Sequence, residues 1–179
     1  MRKSIFILAI SALSLYFPVL SFSETAGTNV YEIRLKTGAL KISLPEGWER
    51  RDRGQYDTQA GFAKREAESK LDILFISIFD MSDKPSSSTE SSQKAFLDQI
   101  KNECYGKQEG YDGGEYTELF GVPVLIANFH RPDGTGKIKE VHFFKNRKYY
   151  KIDFLAYNEY FDALWVEIEK SIKEIEFLD

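Results

Sequence analysis

Hydrophobic and polar residues alternate most regularly between Val122 and Leu155. Alternation with a period of two predicts β-strands with one buried face. The segment 131–136 (RPDGTG) joins the first two of three predicted strands, and Asn146-Arg147 forms a two-residue turn before the third. These turns fix the register, pairing His130 with Lys137, Ile126 with Val141, Phe143 with Tyr150, and Lys145 with Lys148.

This register predicts two sheet faces of different character, because paired residues point to the same side of a sheet. One face is apolar and is expected to lie in the core: Val122, Val124, Ile126, Val141, Phe143, Tyr150, Ile152 and Phe154. The other face mixes apolar and charged residues: Leu125, Ala127, Phe129, Ile138, Glu140, His142, Phe144, Tyr149, Lys151 and Asp153. This mixed face is either covered by a helix or used as a recognition surface.

The remaining pattern predicts further strands and two helices. The strands are Val30–Leu35 and Leu40–Leu44, joined by a hairpin at Thr37-Gly38, then Ala60–Arg65 and the central strand Leu71–Phe79, whose apolar run is typical of burial on both faces. Met81–Ser92 and Gly106–Gly114 read as loops. The helices are Gln93–Tyr105, capped by Ser91 or Ser92, and Glu159–Glu174, capped by Asn158. Helices layered on an antiparallel sheet make an α+β domain.

The helix at Gln93–Tyr105 carries the chain's one cysteine. Phe96, Ile100 and Cys104 are spaced at four-residue steps, which places them on one helical stripe. We therefore expect the Cys104 thiol to be buried as a small apolar group; a reactive or intermolecular thiol is the alternative.

The N-terminus has the three parts of a secretory signal. Arg2 and Lys3 precede the apolar run Ile5–Leu20, whose 16 residues are fewer than the roughly 20 that span a bilayer. Ser21 and Ser23 then suit a cut before Glu24. The sequence thus predicts a signal peptide at 1–23, a flexible leader at 24–29, and a single α+β domain at 30–179. We expect a periplasmic or secreted protein without stable membrane insertion.

Composition and charge narrow the possible functions. The content of 42% hydrophobic and 29% charged residues is that of an ordinary globular domain. Without Arg2 and Lys3, 22 basic residues stand against 28 acidic ones, a net charge of −6. An acidic chain of this kind has no electrostatic reason to bind a nucleic acid backbone, so no nucleic acid partner is expected.

The sequence contains no group of residues with the spacing of a known catalytic or metal-binding site. The two histidines, His130 and His142, stand five ladder rungs apart in the predicted register, about 17 Å, so they cannot share one metal ion. Nucleophile signatures such as G-x-S-x-G and S-x-x-K are absent. Gly134–Lys137 resembles a phosphate loop only in part and is better explained as turn chemistry. The sequence predicts no catalytic residue, no metal and no cofactor.

Two groups of residues remain as candidate binding sites. The first lies on the mixed face: His142, Lys151, Tyr149, Phe144 and Phe129. The second is a basic cluster after Trp48, made of Arg50, Arg51 and Arg53, which is either a solvated strand edge or a contact for an acidic partner.

Short motifs carry a resemblance to a known fold family. Leu40–Trp48 (LKISLPEGW) resembles the opening strand and LP-x-G-W turn of the PsbP-like fold, which includes the photosystem II accessory protein, Mog-type Ran-binding proteins and bacterial DcrB-like periplasmic proteins. Leu119–Pro123, Tyr149–Phe154 and the stretch from Phe161 to Phe177 resemble its closing half. The charged stretch Arg50–Ala67 departs from the pattern. The resemblance implies an α/β sandwich and a small binding or assembly module without a shared catalytic set.

The sequence therefore favours an exported, non-catalytic binding or accessory protein that acts through a protein–protein surface on a partner not yet identified. An immunity-type inhibitor is one form of this hypothesis, since a small acidic domain suits a basic toxin site. The alternative is a periplasmic carrier or sensor of a small ligand held near His142, Lys151 and Tyr149. A hydrolase is a third hypothesis.

Overall fold

The computed structural model describes residues 27–51, 57–67 and 70–178. The predicted signal peptide and residues 24–26 of the predicted leader lie outside the described residues. Thr28 and Asn29, also assigned to that leader, already belong to the first strand.

Within the described residues the chain forms ten strands and two α-helices. The strands are β1 Thr28–Leu35, β2 Gly38–Pro45, β3 Glu49–Arg50, β4 Gln59–Ala67, β5 Lys70–Asp80, β6 Tyr111–Leu119, β7 Val122–His130, β8 Gly136–Lys145, β9 Lys148–Tyr157 and β10 Glu176–Phe177. The helices are α1 Glu90–Gln99, which continues as a π-helix over Ile100–Tyr105, and α2 Asn158–Lys173. A short 3₁₀ turn at Pro85–Ser87 precedes α1.

The strands make two antiparallel sheets. The larger sheet has seven strands in the order β3-β4-β5-β9-β8-β7-β6, and the smaller has three in the order β1-β2-β10. The smaller sheet and α2 pack together on one face of the larger sheet, while α1 packs on the opposite face. The predicted α+β architecture is confirmed.

The predicted register of β7, β8 and β9 is also confirmed. Ile126 pairs with Val141, and Phe143 pairs with Tyr150. Asn146 and Arg147 both have positive φ, 52° and 60°, as a type I′ hairpin turn requires. The eight residues expected on the apolar face all belong to the main core cluster, with Val122 at its margin.

The main core lies between this first face of the large sheet and the layer made by the small sheet and α2. Leu40, Ile42 and Leu44 of β2 are fully buried against it, and so is Trp48. Trp48 follows Gly47, whose φ of +91° is a conformation that side chains disfavour, so glycine suits this turn. The apolar stripe of α2 contributes Phe161, Leu164, Ile168 and Ile172.

The predicted mixed face belongs to the second face of the large sheet, which α1 partly covers. Leu97 of α1 is fully buried and packs with Leu125 of β7 and Phe144 of β8. Phe96 and Ile100 lie at the edge of this smaller cluster. The helix thus covers the β7 and β8 side of the face.

Several predicted boundaries were wrong. α1 begins at Glu90 because Thr89, rather than Ser91 or Ser92, caps it: Ser92 N–H donates to Thr89 Oγ1, and Thr89 N–H donates to Ser92 Oγ. Asn158 is the first residue of α2 and not its cap; its side-chain amide donates to the Gly134 carbonyl. The first hairpin turns at Lys36-Thr37, and Gly38 already belongs to β2.

The predicted burial of Cys104 was also wrong, since its side chain is exposed. The cause is the π-helix, in which the hydrogen bonds run from residue i to i+5. The wider turn rotates the residues after Gln99 away from the four-residue stripe that the sequence pattern assumed.

Two strands differ from their predictions. The predicted loop Gly106–Gly114 includes the first four residues of β6, Tyr111–Gly114, which belong to the strand because the register shift between Tyr111 and Gly113 is absorbed as a β-bulge. β5 is central in the sheet, as predicted, and its first face is covered, but its second face is covered only in part. Phe75 and Phe79 on its second face remain exposed, because α1 lies over β7 and β8 rather than over β5.

Candidate binding surface

The part of the second sheet face that α1 leaves uncovered lies on β5 and β9. Leu71, Phe75 and Phe79 are 37%, 36% and 38% exposed, and they fall on the same side of β5 at four-residue steps. We call these three residues, two phenylalanines and a leucine, the aromatic strip. Large apolar side chains grouped in this way mark a contact surface more often than isolated ones do.

A pair of charged residues lies beside the aromatic strip. Asp153 of β9 is opposite Phe75, and Lys151 is opposite Ser77. Lys151 Nζ lies 2.9 Å from Asp153 Oδ1 and 3.2 Å from Glu140 Oε2, so this ammonium joins two carboxylates. The aromatic strip together with Lys151 and Asp153 is called the open face below.

The open face leads inward to a set of hydrogen-bonded polar side chains beneath the end of α1. Glu140 is its centre: its Oε2 accepts a hydrogen bond from Tyr105 Oη and lies 3.4 Å from His142 Nε2. On the other side of the imidazole, His142 Nδ1 is 2.7 Å from Tyr149 Oη. We call this set the polar network: Tyr105, Glu140, His142, Tyr149, Lys151 and Asp153.

Two opposing effects set the pKa values in the polar network: burial, which disfavours the charged forms, and pairing with hydrogen-bond partners or opposite charges, which favours them. Burial raises the pKa of Glu140, but hydrogen bonds from His142 and Tyr105 and the charge of Lys151 outweigh it and hold that pKa at about 2. Burial also raises the pKa of Asp153, although Lys151 opposes the shift. The pKa of Lys151 is lowered by burial but raised overall by Asp153 and Glu140. The ammonium and the Glu140 carboxylate are therefore charged at neutral pH.

The π-helix positions the tyrosine of this network. Tyr105 is the last residue of the π-helix, and its ring packs edge-on against Phe129, with centroids 5.0 Å apart. Burial is the main cause that raises the pKa of Tyr105, and the hydrogen bond to Glu140 adds to it, so the phenol stays protonated and donates a hydrogen bond to the carboxylate. The extra residue in the helical turn thus serves to bring a hydroxyl to Glu140.

A chain of aromatic rings connects the open face with the covered cluster. Phe79 stacks on Tyr149 at 5.7 Å between centroids, and Tyr149 contacts Phe96 at 5.4 Å. Phe96 in turn meets Phe144 at 5.5 Å. Tyr149 is therefore the boundary between the exposed and the covered part of the second face.

The structure places five of the predicted site residues on one face. His142, Phe144 and Phe129 are buried beneath α1 and the π-helix, whereas Tyr149 and Lys151 are half-buried at the boundary. The space around His142 is filled by Tyr105, Tyr149 and Glu140. These residues contact one another, and Lys151 is the member of the predicted group that reaches the open face.

The predicted basic cluster lies elsewhere. Arg50 belongs to β3, the edge strand opposite β6, and is separated from β8 by β4, β5 and β9. Arg51 follows β3, and its guanidinium pairs with Glu49 at 2.6 Å. Arg53 lies outside the described residues. The described arginines and the His142 group are therefore two separate regions of the molecule.

Sequence reasoning missed the residues that distinguish this surface. Phe75, Phe79 and Leu71 were assigned to a strand buried on both faces, and an apolar run alone cannot show which face is covered. Tyr105 was assigned to a regular helix, because no local sequence pattern predicted the π-helix. The position of Glu140 between His142 and Lys151 was implicit in the predicted register, because all three share the mixed face.

Metal ligands were sought next among the described residues. No group of three or more His, Cys, Asp or Glu side chains in that part of the chain is placed to hold a metal ion. His130, the other histidine, is at the end of β7 and contacts Asp112 at 2.8 Å through Nδ1. Neither helix of the described chain is long and apolar enough to cross a membrane.

Comparison with known proteins gives matches in structure but not in sequence. No protein-family model and no curated protein matches this chain. Cyanobacterial PsbP (CyanoP) from Synechocystis is similar in structure, with 14% identity, a TM-score of 0.55, and coverage of 87% of this chain and 95% of that one. LpqN from Mycobacterium tuberculosis, described as involved in cell envelope biogenesis, has 10% identity, a TM-score of 0.56, and coverage of 84% and 91%.

A crystal structure from Bacteroides thetaiotaomicron is also similar, with 12% identity and a TM-score of 0.52; the match covers 78% of this chain and 45% of that one. The predicted resemblance is confirmed for the fold, which is PsbP-like. At identities this low, likeness in fold does not carry an activity from one protein to another.

Proposed function

We propose that this chain is an exported, non-catalytic accessory protein that binds a partner protein through the open face. The observation that carries the proposal is the aromatic strip, three large apolar side chains exposed in a row on a central strand. Aromatic residues, phenylalanine among them, are enriched in the buried centre of protein interfaces.

The charged pair beside the strip would give the contact its orientation. Lys151 and Asp153 are 28% and 19% exposed, so a partner group can reach them without disturbing the core. Apolar residues flanked by a partly buried ion pair match the usual anatomy of an interface, in which charge fixes the register of the contact.

The state of His142 supports a non-catalytic role. The ring is fully buried, and both ring nitrogens lie near hydrogen-bonding partners, Tyr149 on one side and Glu140 with Tyr105 on the other. A general base must come within hydrogen-bond reach of the proton it removes, and this imidazole offers no free nitrogen to a substrate.

The fold and the N-terminus support an extracytoplasmic location. LpqN, which shares the fold, is described as acting in cell envelope biogenesis, and residues 1–23 have the pattern of an export signal. We extend that setting to this chain as part of the proposal.

The test is partner capture with matched surface variants. The full chain, with its own residues 1–23 and a tag after Asp179, is expressed in a Gram-negative host, and the periplasmic fraction is applied to the tag resin. We expect a stoichiometric partner to be retained by the unchanged protein and lost by the double variant Phe75→Ser and Phe79→Ser. Val166→Ser is the control, because Val166 is a 66% exposed apolar residue on α2, away from the open face.

Equal retention by all three proteins would overturn the open face as the binding surface. Mass spectrometry of the purified protein checks the cut before Glu24, and an intact N-terminus would contradict export by cleavage. Elution of the partner at moderate salt favours a basic partner, as an immunity-type inhibitor requires. A small ligand that raises the melting temperature of the protein, with no partner captured, would favour the carrier hypothesis instead.

A further inference from the structure

The first strand gives the small sheet an edge that differs from the other sheet edges. β3 and β10 have two residues each, and β6 carries the β-bulge between Tyr111 and Gly113. β1 has eight residues, Thr28–Leu35, in uninterrupted register with β2 and without proline or glycine. Proteins usually protect sheet edges with short strands, bulges or proline. Among the end strands of the two described sheets, β1 is therefore the one that is both long and regular.

The backbone of β1 presents alternate residues to its open side. Ala39 of β2 accepts a hydrogen bond from Leu178 N–H, so its C=O points away from β1. Ala39 is the partner of Arg34, and in a pair of this kind both residues direct their N–H and C=O groups away from each other. By the period of two, Arg34, Glu32 and Val30 point these groups outward. No backbone group of the described residues pairs with them there.

The side chains of β1 divide by the same alternation. Tyr31, Ile33 and Leu35 pack against the main core. Arg34 and Glu32 lie on the outer face, where Arg34 Nε is 2.5 Å from Glu32 Oε1 and the two side chains are 72% and 49% exposed. The strand thus has an apolar inner face and an outer face with one basic and one acidic group, two residues apart.

This pattern is complementary to itself in an antiparallel pair. When two copies of β1 meet about a two-fold axis at Ile33, Glu32 of each copy lies opposite Arg34 of the other. Tyr31 then lies opposite Leu35, so the apolar inner faces also join. An axis at Glu32 or at Arg34 instead brings like charges face to face, which destabilises a strand pair. The charges therefore select the register about Ile33.

The same register uses the outward backbone groups. Glu32 and Arg34 both point outward, so each of the two cross pairs exchanges two hydrogen bonds, about four in total. Lys36 N–H already donates to the Asp57 carbonyl at 3.0 Å, so the ladder ends near Lys36. One pair of strands buries less than the ~1,200 Å² of a standard interface, and we expect a reversible dimer with a Kd on the order of 10–100 μM.

We propose that β1 pairs with β1 of a second copy, antiparallel about Ile33, and joins the two three-stranded sheets into one. The two-fold pairing closes on itself, because each copy uses the same edge, so it yields a dimer and not a filament. The acidity of the whole chain opposes self-association only weakly, since charges more than ~8 Å apart are largely screened at physiological salt. β1 packs over the first face of the large sheet and the open face is on the second, so the two sites are independent.

Charge reversal tests the proposal. The full chain is expressed with its own residues 1–23 and a tag after Asp179, and the purified protein is studied by sedimentation equilibrium from ~1 to ~300 μM. A reducing agent prevents a disulfide at the exposed Cys104. Glu32→Arg places arginine opposite arginine in both cross pairs, and Arg34→Glu places glutamate opposite glutamate. We expect each change to weaken the dimer at least about tenfold.

Two rescue experiments identify the register. An equimolar mixture of the Glu32→Arg and Arg34→Glu proteins should form a heterodimer about as strong as the original dimer, because every arginine then faces a glutamate. The double variant Glu32→Arg with Arg34→Glu should recover the homodimer for the same reason. Glu167→Arg and Lys170→Glu, charge reversals at exposed positions of α2, should leave the Kd unchanged. Phe75→Ser on the open face should leave it unchanged as well.

Hydrogen exchange locates the contact. The amides of Val30, Glu32 and Arg34 should exchange more slowly in a concentrated sample than in a dilute one, whereas those of Tyr31 and Ile33, which face β2, should be protected in both. The melting temperature checks that each variant folds.

Four results would overturn the proposal. The first is a protein that stays monomeric up to ~300 μM. The second is a dimer that the single reversals in β1 do not weaken, or that the reversals on α2 weaken equally. The third is a mixture and a double variant that remain as weak as the single reversals. The fourth is concentration-dependent protection at an edge other than β1.

Discussion

The two halves of the second sheet face are made by neighbouring strands of one sheet, yet they differ in what covers them. On β7 and β8, Leu125 and Phe144 are fully buried beneath Leu97 of α1. On β5, Phe75 and Phe79 have the same chemical character but remain exposed. Tyr149 of β9 lies between the two halves and contacts rings from both.

This difference shows that residue type alone does not decide which part of a face is core. α1 is short, ten residues before the π-helix, and it cannot cover all the strands of the sheet. The polar network lies where the cover ends, and it satisfies the buried charge of Glu140 at that boundary. Covered apolar residues contribute to stability, while the uncovered ones are free to contact another molecule.

The largest effect should come from truncating a covered ring. Phe144→Ala removes a fully buried side chain that contacts Phe96 and Tyr149, and we expect a loss of about 3–5 kcal/mol in the free energy of unfolding. Phe75→Ala is the matched control on the open half, with an expected loss below about 1 kcal/mol. Urea denaturation followed by circular dichroism measures both. Similar losses would mean that the two halves are equally buried in solution.

A smaller effect is expected from the polar network. Glu140→Gln keeps the shape of the side chain but removes the charge that pairs with Lys151, and should cost about 2 kcal/mol. Glu167→Gln, an exposed acid on α2, should change the free energy of unfolding by less than about 0.5 kcal/mol.

The pH dependence of this loss identifies its cause. The pKa of Glu140 falls from its ordinary 4.5 to about 2 on folding. Between these values the unfolded chain binds the proton and the folded chain does not, so the contribution of Glu140 is present above about pH 5 and is lost as the pH falls towards 2. The gap between the unchanged protein and Glu140→Gln should therefore close by ~2 kcal/mol over that window. A gap that is constant with pH would assign the loss to packing.

The sequence contained enough to predict the sheet around β7, β8 and β9. Their register follows from two turns and strict alternation, since a shift by one residue would move Ile126 and Phe143 out of the core. The glycines at the start of β6 predicted a loop, because glycine is common both in turns and at β-bulges. The π-helix at Ile100–Tyr105 depends on tertiary contacts of Tyr105 with Glu140 and Phe129, and no periodicity encodes it.

The candidate surface was predicted only in part, because tertiary contacts decide which of its residues are covered. His142, Lys151 and Tyr149 were placed correctly on one face, because alternation decides the side of a strand. Which residues of that face stay exposed depends on where α1 docks, and its docking is set by Leu97 against Leu125 and Phe144. A helix pattern shows that an apolar stripe exists but not which strands it will cover.

The smallest effect is expected at the boundary residue itself. Tyr149→Phe removes the hydroxyl that lies 2.7 Å from His142 Nδ1 but keeps the ring that contacts Phe79 and Phe96, so we expect a loss of about 1 kcal/mol. Tyr157→Phe, whose ring lies near Lys70, is the control and should be neutral within a few tenths of a kcal/mol. If His142 links the two sides of the polar network, the double variant Tyr149→Phe with Glu140→Gln should lose less free energy of unfolding than the sum of the two single losses. Each single change already weakens the contacts that hold the His142 ring, so the second change has less to remove. Strict additivity in unfolding experiments would show that Tyr149 and Glu140 act independently, and the boundary would then be set by ring packing alone.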